Sequence, residues 1–266
     1  ELQETIDILK KNGHTYEKDG ALWYKNKEIQ TEILKKQGKS DEDIEKLELK
    51  DDVLIRQNGN PTYFAADIAY HRNKFEKRGF DTGIDVWGAD HHGHVARMKG
   101  VLEALDLDAD RLDVILMQLV RLTRDGEVVR MSKRTGKAIT LVDLLEDIPV
   151  DAVRFLFNMR EPGSQMDFDL DLAVEQSSQN PVYYCQYANA RIHSILRKVE
   201  ADGVKVRDCT KDELKLLTAP EEIELIRHLA SLTDEIVNSA KNYDPAKITR
   251  YCIDLATLFH KFYNAC

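Results

Sequence analysis

Four groups of residues in this chain have types and spacings that could do chemistry. The first is Arg130-Met131-Ser132-Lys133-Arg134-Thr135-Gly136-Lys137, several cations around a glycine. A lysine on such a loop can follow a moving polyphosphate and stabilise negative charge that develops in a transition state. The same composition also suits a solvated basic turn. The second group is Gly88-Ala89-Asp90-His91-His92-Gly93-His94, directly after an apolar run that ends at Trp87. A carboxylate at the C-terminal end of a strand can accept hydrogen bonds from ribose hydroxyls. Clustered imidazoles could bind a metal, and an ordinary polar loop is a third reading. No further carboxylate or cysteine ligand lies nearby in sequence, so no metal site is expected.

The third group is Tyr63 and Asp67. If the backbone is already helical there, positions i and i+4 share a face. A carboxylate suits a guanidinium because two parallel N–H···O bonds match its planar fork, and Tyr63 would add a hydroxyl and a stacking face. A core tyrosine beside a surface aspartate is the plainer alternative. The fourth group lies in residues 180–192, Asn-Pro-Val-Tyr-Tyr-Cys-Gln-Tyr-Ala-Asn-Ala-Arg-Ile. Tyr184, Tyr187 and Arg191 on one helix could stack on unpaired bases and pair with phosphate, or simply pack a bundle.

The elements that must position these groups follow from periodicity and punctuation. Residues 2–12 read as a helix stopped by Gly13, and 14–24 as a hairpin around the type I′ signal Asp19-Gly20. Residues 25–52 are rich in charge and read as a surface insertion, with a short helix starting at the Ser40 cap. Residues 53–55 and 62–64 flank Asn58-Gly59 as a second hairpin-like turn, and a helix follows over 65–78, ended by Gly79. Residues 83–88 read as a buried parallel strand whose C-terminal end opens into a site. Next come a helix over 95–105, a strand over 114–122, the turn Asp125-Gly126, and a short strand running into the basic loop. Beyond lie a helix over 141–159, a long one from the Asn180 cap and Pro181 to about 199, and one over 220–241. A last helix after Asp244-Pro245 carries Ile248, Cys252, Leu255, Phe259 and Phe262 on one stripe. The expected fold is an α/β Rossmann-type part over 1–175 followed by an all-α helical bundle over 176–266.

With 266 residues and 42% apolar content, the chain can bury a sizeable core in one domain or two. A net charge of −9 argues against indiscriminate coating of nucleic acid, although a local basic track could still recognise one RNA. No apolar run spans a bilayer, and Glu1, Glu4 and Asp7 rule out a signal peptide, so a cytoplasmic protein is expected. Cys185, Cys209, Cys252 and Cys266 lack C-x-x-C spacing and are expected as reduced thiols. The missing initiator Met, and an end inside an amphipathic helix, suggest a piece of something longer.

Met131-Ser132-Lys133, followed by Arg134-x-Gly136-Lys137, resembles the Lys-Met-Ser-Lys-Ser signature of class I aminoacyl-tRNA synthetases. Arg130 stands for its first lysine and Arg134 for its last serine. Gly88-x-Asp90-His91 resembles the Gly-x-Asp-His/Gln element that lines the adenosine and amino-acid pocket in that class. Residues 61–71 closely resemble the arginyl-tRNA synthetases, whose matching Tyr and Asp hold the arginine. Residues 180–192 resemble the opening helix of their DALR-type anticodon-binding bundle, where His often stands at the position of Asn189. Residues 151–155 and 166–169 also look like this family, whereas 25–52 match it poorly. His91-His92-Gly93-His94 fits the letters of the other class signature, His-x-Gly-His, but lies too close to Met131 and after too late a strand. That motif is therefore expected to be absent. The DHH phosphoesterases, which share Asp90-His91-His92, need further upstream motifs that this chain lacks.

The resemblance implies a C-terminal part of an arginine–tRNA ligase, using ATP with Mg²⁺, arginine and tRNA-Arg, and monomeric. It implies catalytic roles for Lys133, Ser132 and Met131, and arginine contacts from Tyr63, Asp67 and His91. ATP contacts would come from Gly88, Asp90, Arg130 and Lys133, and tRNA contacts from Tyr184, Tyr187 and Arg191. Without the His-x-Gly-His motif the isolated chain is expected to be inactive. The alternative is a non-catalytic tRNA-binding fragment or paralogue.

Overall fold

The computed structural model describes residues 1–129, 139–205 and 207–266. Arg130, Met131, Ser132 and Lys133, the basic-loop residues singled out above, lie outside the described residues. The chain divides into two compact units, Glu1–Met117 and Gln118–Cys266.

In the first unit, α1 (Leu2–Lys11) buries Thr5, Ile6 and Leu9 on one face. Gly13, at φ +80°, ends it: its N–H donates to the Lys10 carbonyl and that of His14 to the Leu9 carbonyl. These two bonds satisfy carbonyls that the helix leaves open, and the left-handed step suits glycine. Strands β1 (Thr15–Lys18) and β2 (Ala21–Tyr24) form the expected hairpin, with Asp19 at φ 54° and Gly20 at φ 72°.

Residues 25–52 depart from the expected surface insertion. They form α2 (Asn26–Lys36) and α3 (Asp41–Glu45) before β3 (Asp52–Ile55) pairs with β2. Ser40 caps α3 as read, accepting from the Asp43 N–H. The unread helix is α2, whose Ile29 joins the core. Its buried Gln30 donates from Nε2 to the Ala96 carbonyl at 2.7 Å. The surrounding charges masked that short apolar face.

Thr62 also differs from its reading as a strand residue. It is the N-cap of α4 (Tyr63–Arg72): its hydroxyl accepts from the Ala65 N–H and donates to the Val53 carbonyl. A π-helical segment, Asn73–Lys77, extends α4. Then come β4 (Gly83–Gly88), α5 (His92–Ala104) and β5 (Leu112–Met117), which pairs parallel to β4. The core gathers Leu9, Leu54, Met98, Val101, Leu102 and Leu112. As read, β4 is a parallel strand, but against the reading of it as buried it buries only Gly83 and Asp85 and leaves Ile84 and Val86 exposed.

In the second unit the strand read over 114–122 proves to be split. Gln118 and Leu119 separate β5 from β6 (Val120–Arg124). Asp125 and Gly126, both at positive φ, turn β6 into β7 (Glu127–Val128). Helices α6 (Leu141–Asp147) and α7 (Val150–Phe157) replace the single helix read over 141–159. They part at Ile148-Pro149, where proline has no N–H to continue the first helix. Strand β8 (Met166–Asp169) runs parallel to β6, and the Asp169 carboxylate caps α8 (Leu170–Val174).

The long α9 (Pro181–Ala201) starts from the Asn180 cap as read. It is followed by α10 (Lys211–Leu214), α11 (Pro220–Ala230), α12 (Leu232–Asn242) and α13 (Ala246–Ala265). The helix read over 220–241 is two helices that meet at Ser231. Position 176 falls inside this second unit, because Val182 of α9 shares a core with Phe168 of β8. An α/β part is thus followed by a helical one. No helix among the described residues is long and apolar enough to cross a membrane.

Arg72 locks α4 onto α1. The buried guanidinium donates to Glu4 at 3.0 Å, to the Thr5 hydroxyl at 3.2 Å and to Glu76 at 2.6 Å. The hydrogen bond from Arg72 holds the Glu4 carboxyl at about 2, below its ordinary 4.5. A carboxyl lowered on folding adds stability that is present above 4.5 and lost as pH falls toward 2. Melting the first unit across that window should therefore show a smaller decline for Glu4→Gln than for wild type. Identical pH dependences would refute the role of this pair.

Candidate functional site

Helix α4 begins at Tyr63, so Tyr63 and Asp67 lie one turn apart as the helical reading required. Tyr63 is 88% exposed. The Asp67 carboxylate is about half exposed and stands 3.7 Å from His94 Nε2. His94 is itself wedged between rings, 5.5 Å from Phe64 edge-on and 5.2 Å from Trp87. Burial, and then the Arg97 charge, hold the His94 imidazole below the ordinary histidine range. It therefore faces Asp67 chiefly as a neutral ring, and leaves the carboxylate's charge for another partner. The sequence offered His94 as part of a cluster but gave no sign of its packing against Phe64.

The main chain beneath Asp67 is pinned from inside. His71 Nδ1 donates to the Asp67 carbonyl at 2.7 Å, and its Nε2 lies 2.6 Å from Asp85 Oδ2. Lys74 Nζ donates to the other oxygen of Asp85 at 2.6 Å. Burial alone would raise the Asp85 carboxyl, but the hydrogen bonds from Lys74 and His71 outweigh it and leave it lowered. The network joins α4 to β4 behind the Tyr63–Asp67 face. Reading the sequence for chemistry missed it, although a carboxylate inside an apolar run was a signal that buried partners were needed.

At the C-terminal end of β4, Gly88 leads into a single 3₁₀ turn, Ala89–His91. Asp90 and His91 are exposed there, 3.8 Å apart and open to a ligand. A cavity of about 460 Å³ lies beside them. Asp90, His91, His94 and Arg97 form one side of it, and Asn26, Gln30, Lys50 and Asp52 the other. An ion pair, Arg97 to Asp52 at 2.8 Å, closes one edge. Residues 25–52 thus supply a wall of this site. Among the described residues no group of three His, Cys, Asp or Glu side chains is placed to hold a metal ion.

The second unit carries a separate pocket of about 340 Å³. Tyr183, Tyr184, Tyr187 and Arg191 line it from α9, and His260 and Asn264 from α13. Tyr183 and Tyr187 stack in parallel at 6.4 Å, and the His260 ring lies 5.6 Å from Tyr187 and 5.1 Å from Tyr184. The Arg191 guanidinium sits 3.7 Å from the centre of the Tyr263 ring. The three residues read from spacing, Tyr184, Tyr187 and Arg191, therefore meet in one pocket. His260 and Asn264 were not read. Asn189 is exposed on α9 and does not line the pocket.

Residues 185–266 match the family described as the DALR anticodon binding domain. The arginine–tRNA ligase of Ruminiclostridium cellulolyticum is 54% identical over 266 residues, and that of Caldanaerobacter subterraneus 55% identical over 265. Both alignments cover all of this chain, residues 25–52 included. Over its whole length, the chain is similar in sequence to arginine–tRNA ligases. It spans 44% of the length of those two arginyl-tRNA synthetase relatives. A structure from Campylobacter jejuni assigned as an arginyl-tRNA synthetase is 34% identical, with a TM-score of 0.83 over all of this chain and 54% of its own. The arginyl-tRNA synthetase of Thermus thermophilus, 21% identical, matches in fold with a TM-score of 0.75 over half of its length.

Both tryptophans, Trp23 and Trp87, lie in the first unit, so their fluorescence follows that unit alone. Asp85→Ala leaves Lys74 without its buried counter-charge and His71 Nε2 without its partner, a loss of about 3 kcal/mol. Urea unfolding followed by tryptophan emission should show it. A change under about 1 kcal/mol, within the range of an ordinary exposed pair, would mean that the network does not hold α4 on β4.

Proposed function

We propose that this chain is the C-terminal part of an arginine–tRNA ligase. In the first step the arginine carboxylate attacks the α-phosphorus of MgATP, which gives arginyl-adenylate and releases pyrophosphate. In the second, a hydroxyl of the terminal tRNA ribose attacks the adenylate carbonyl and releases AMP. The observation that carries this reading is the Tyr63–Asp67 turn, held rigidly from behind and open in front, in a chain aligned over its whole length with ligases of this name.

Asp67 takes the substrate guanidinium as a bidentate partner, with Tyr63 covering it and His91 beside the amino-acid end. Asp90, at the end of β4 next to Gly88, receives the ribose hydroxyls of ATP. Lys133, with Arg130, Met131 and Ser132, follows the phosphates as charge moves to the leaving group. Tyr184, Tyr187 and Arg191 hold unpaired bases of tRNA-Arg. On this reading residues 1–175 serve activation and 176–266 tRNA recognition, in a monomeric cytoplasmic enzyme. Similarity that continues through the Tyr63–Asp67 region favours a ligase over a purely RNA-binding role.

Asp67→Ala, made in a ligase containing this chain, should raise the arginine KM about 100-fold, the worth of a charge-assisted pair. The affinity for ATP should stay within about threefold, since no phosphate or ribose contact is removed. An unchanged arginine KM would remove Asp67 from the amino-acid site.

A further inference from the structure

We propose that His94 is a positioning residue that shares Asp67 with the substrate: as a neutral ring it leaves the carboxylate to arginine, and a proton taken up by the ring displaces arginine from it. This rests on the arginine reading of Asp67 above and adds to it a control of that site by pH.

The competition is built into the geometry. His94 Nε2 stands 3.7 Å from Asp67 Oδ2. That is too long for a good hydrogen bond, so the neutral ring makes little claim on the oxygen. At the same distance an imidazolium forms an ion pair. Phe64, edge-on at 5.5 Å, and Trp87, at 5.2 Å, keep the ring in place. Solvent still reaches it, since 15% of the side chain is exposed and it lines the cavity of about 460 Å³. A guanidinium held in bidentate fashion takes both oxygens of Asp67, including the one that faces His94. It also brings a cation up to the ring, so arginine and the proton oppose each other.

The groups around the ring set the side of neutrality on which this happens. Burial, and then Arg97 on α5, disfavour the proton; Asp67 on α4 and Asp52 on β3 favour it; His91 in the 3₁₀ turn disfavours it. Glu48, Lys50 and Asp90 line the same cavity. Asp52 holds Arg97 through their ion pair at 2.8 Å, so that cation is not free to replace the substrate on Asp67. Burial and Arg97 prevail, and the ring is neutral at ordinary pH. Bound arginine then cancels Asp67, the foremost influence in favour of the proton. Arginine binding on the acid side of neutrality must therefore expel protons. Linkage makes this reciprocal: the proton weakens arginine by the factor by which arginine weakens the proton. Affinity is full above the range in which His94 titrates and falls as pH drops through it.

Two calorimetric measurements on a ligase containing this chain test this. Arginine is titrated into the wild-type protein at pH 5.5 in two buffers of different ionisation enthalpy, and the difference in heat should show protons released. The arginine Kd is then followed from pH 7.5 to pH 5. Wild type should weaken about tenfold over that range, a coupling of ordinary size. His94→Phe keeps a ring between Phe64 and Trp87 but takes up no proton. Its Kd should lie within about threefold of wild type at pH 7.5 and change less than about twofold down to pH 5. His94→Gln, uncharged and without a ring, should show the same flat profile. His91 remains in all three proteins, so the lost slope belongs to His94.

Arginine binding at pH 5.5 without proton release overturns the proposal even if both variants fail to fold. So does a variant that keeps the wild-type slope. A variant weakened by one factor at every pH, its slope intact, would mark a structural role and likewise overturn it. In each of these cases Asp67 keeps its place in the arginine site. If wild type binds arginine no more tightly than Asp67→Ala at any pH, the arginine reading of Asp67 itself falls and takes this proposal with it.

Discussion

A carboxylate taken out of water must find cations or donors, and Asp85 meets that requirement in a way that organises the first unit. Its two oxygens face different residues of one helix: His71 from α4 itself and Lys74 from the π-helical extension. A carboxylate on strand β4 therefore fixes both the rotation and the position of α4. The same imidazole reaches back to the carbonyl of Asp67. The residue assigned to the substrate guanidinium thus has its main chain held from behind, so that its carboxylate meets a ligand with little freedom to lose. Arg72 does comparable work one residue further on, tying α4 to α1.

The same economy of means appears in the second unit. Tyr183, Tyr187 and Arg191 follow one another at helical spacing and so present one face of α9. Helix α13 brings His260, Tyr263 and Asn264 against that face. Aromatic rings supply area, and Arg191 is held by stacking on Tyr263.

Much of the local structure was legible because it depends on backbone chemistry within a few residues. The glycine stop after α1, the two turns at Asp19-Gly20 and Asp125-Gly126, and the Ser40 and Asn180 caps are of this kind. Thr62 misled because Thr, Tyr and Phe favour strands by type, whereas here the threonine hydroxyl caps a helix. Helix α2 was hidden because its burial is decided by α5, whose Ala96 carbonyl takes Gln30 from 66 residues away. Pro149 was a visible break that the apolar periodicity on either side obscured. Within the candidate sites, Tyr63, Asp67, Asp90, Tyr184, Tyr187 and Arg191 could be named from order and spacing. His94 and His260 could not be given roles. What makes them count is packing: His94 against Phe64 and Trp87, and His260 against Arg191, 69 residues away in sequence.

The central claim is that this chain carries the amino-acid and RNA recognition of an arginine–tRNA ligase. The most direct measurement replaces the matching region of the Ruminiclostridium cellulolyticum ligase with residues 1–266 and follows ATP–pyrophosphate exchange for each amino acid, with tRNA-Arg present. The account predicts exchange that depends on arginine and on no other amino acid. A folded chimera that exchanges with none, or that prefers a different amino acid, would contradict it.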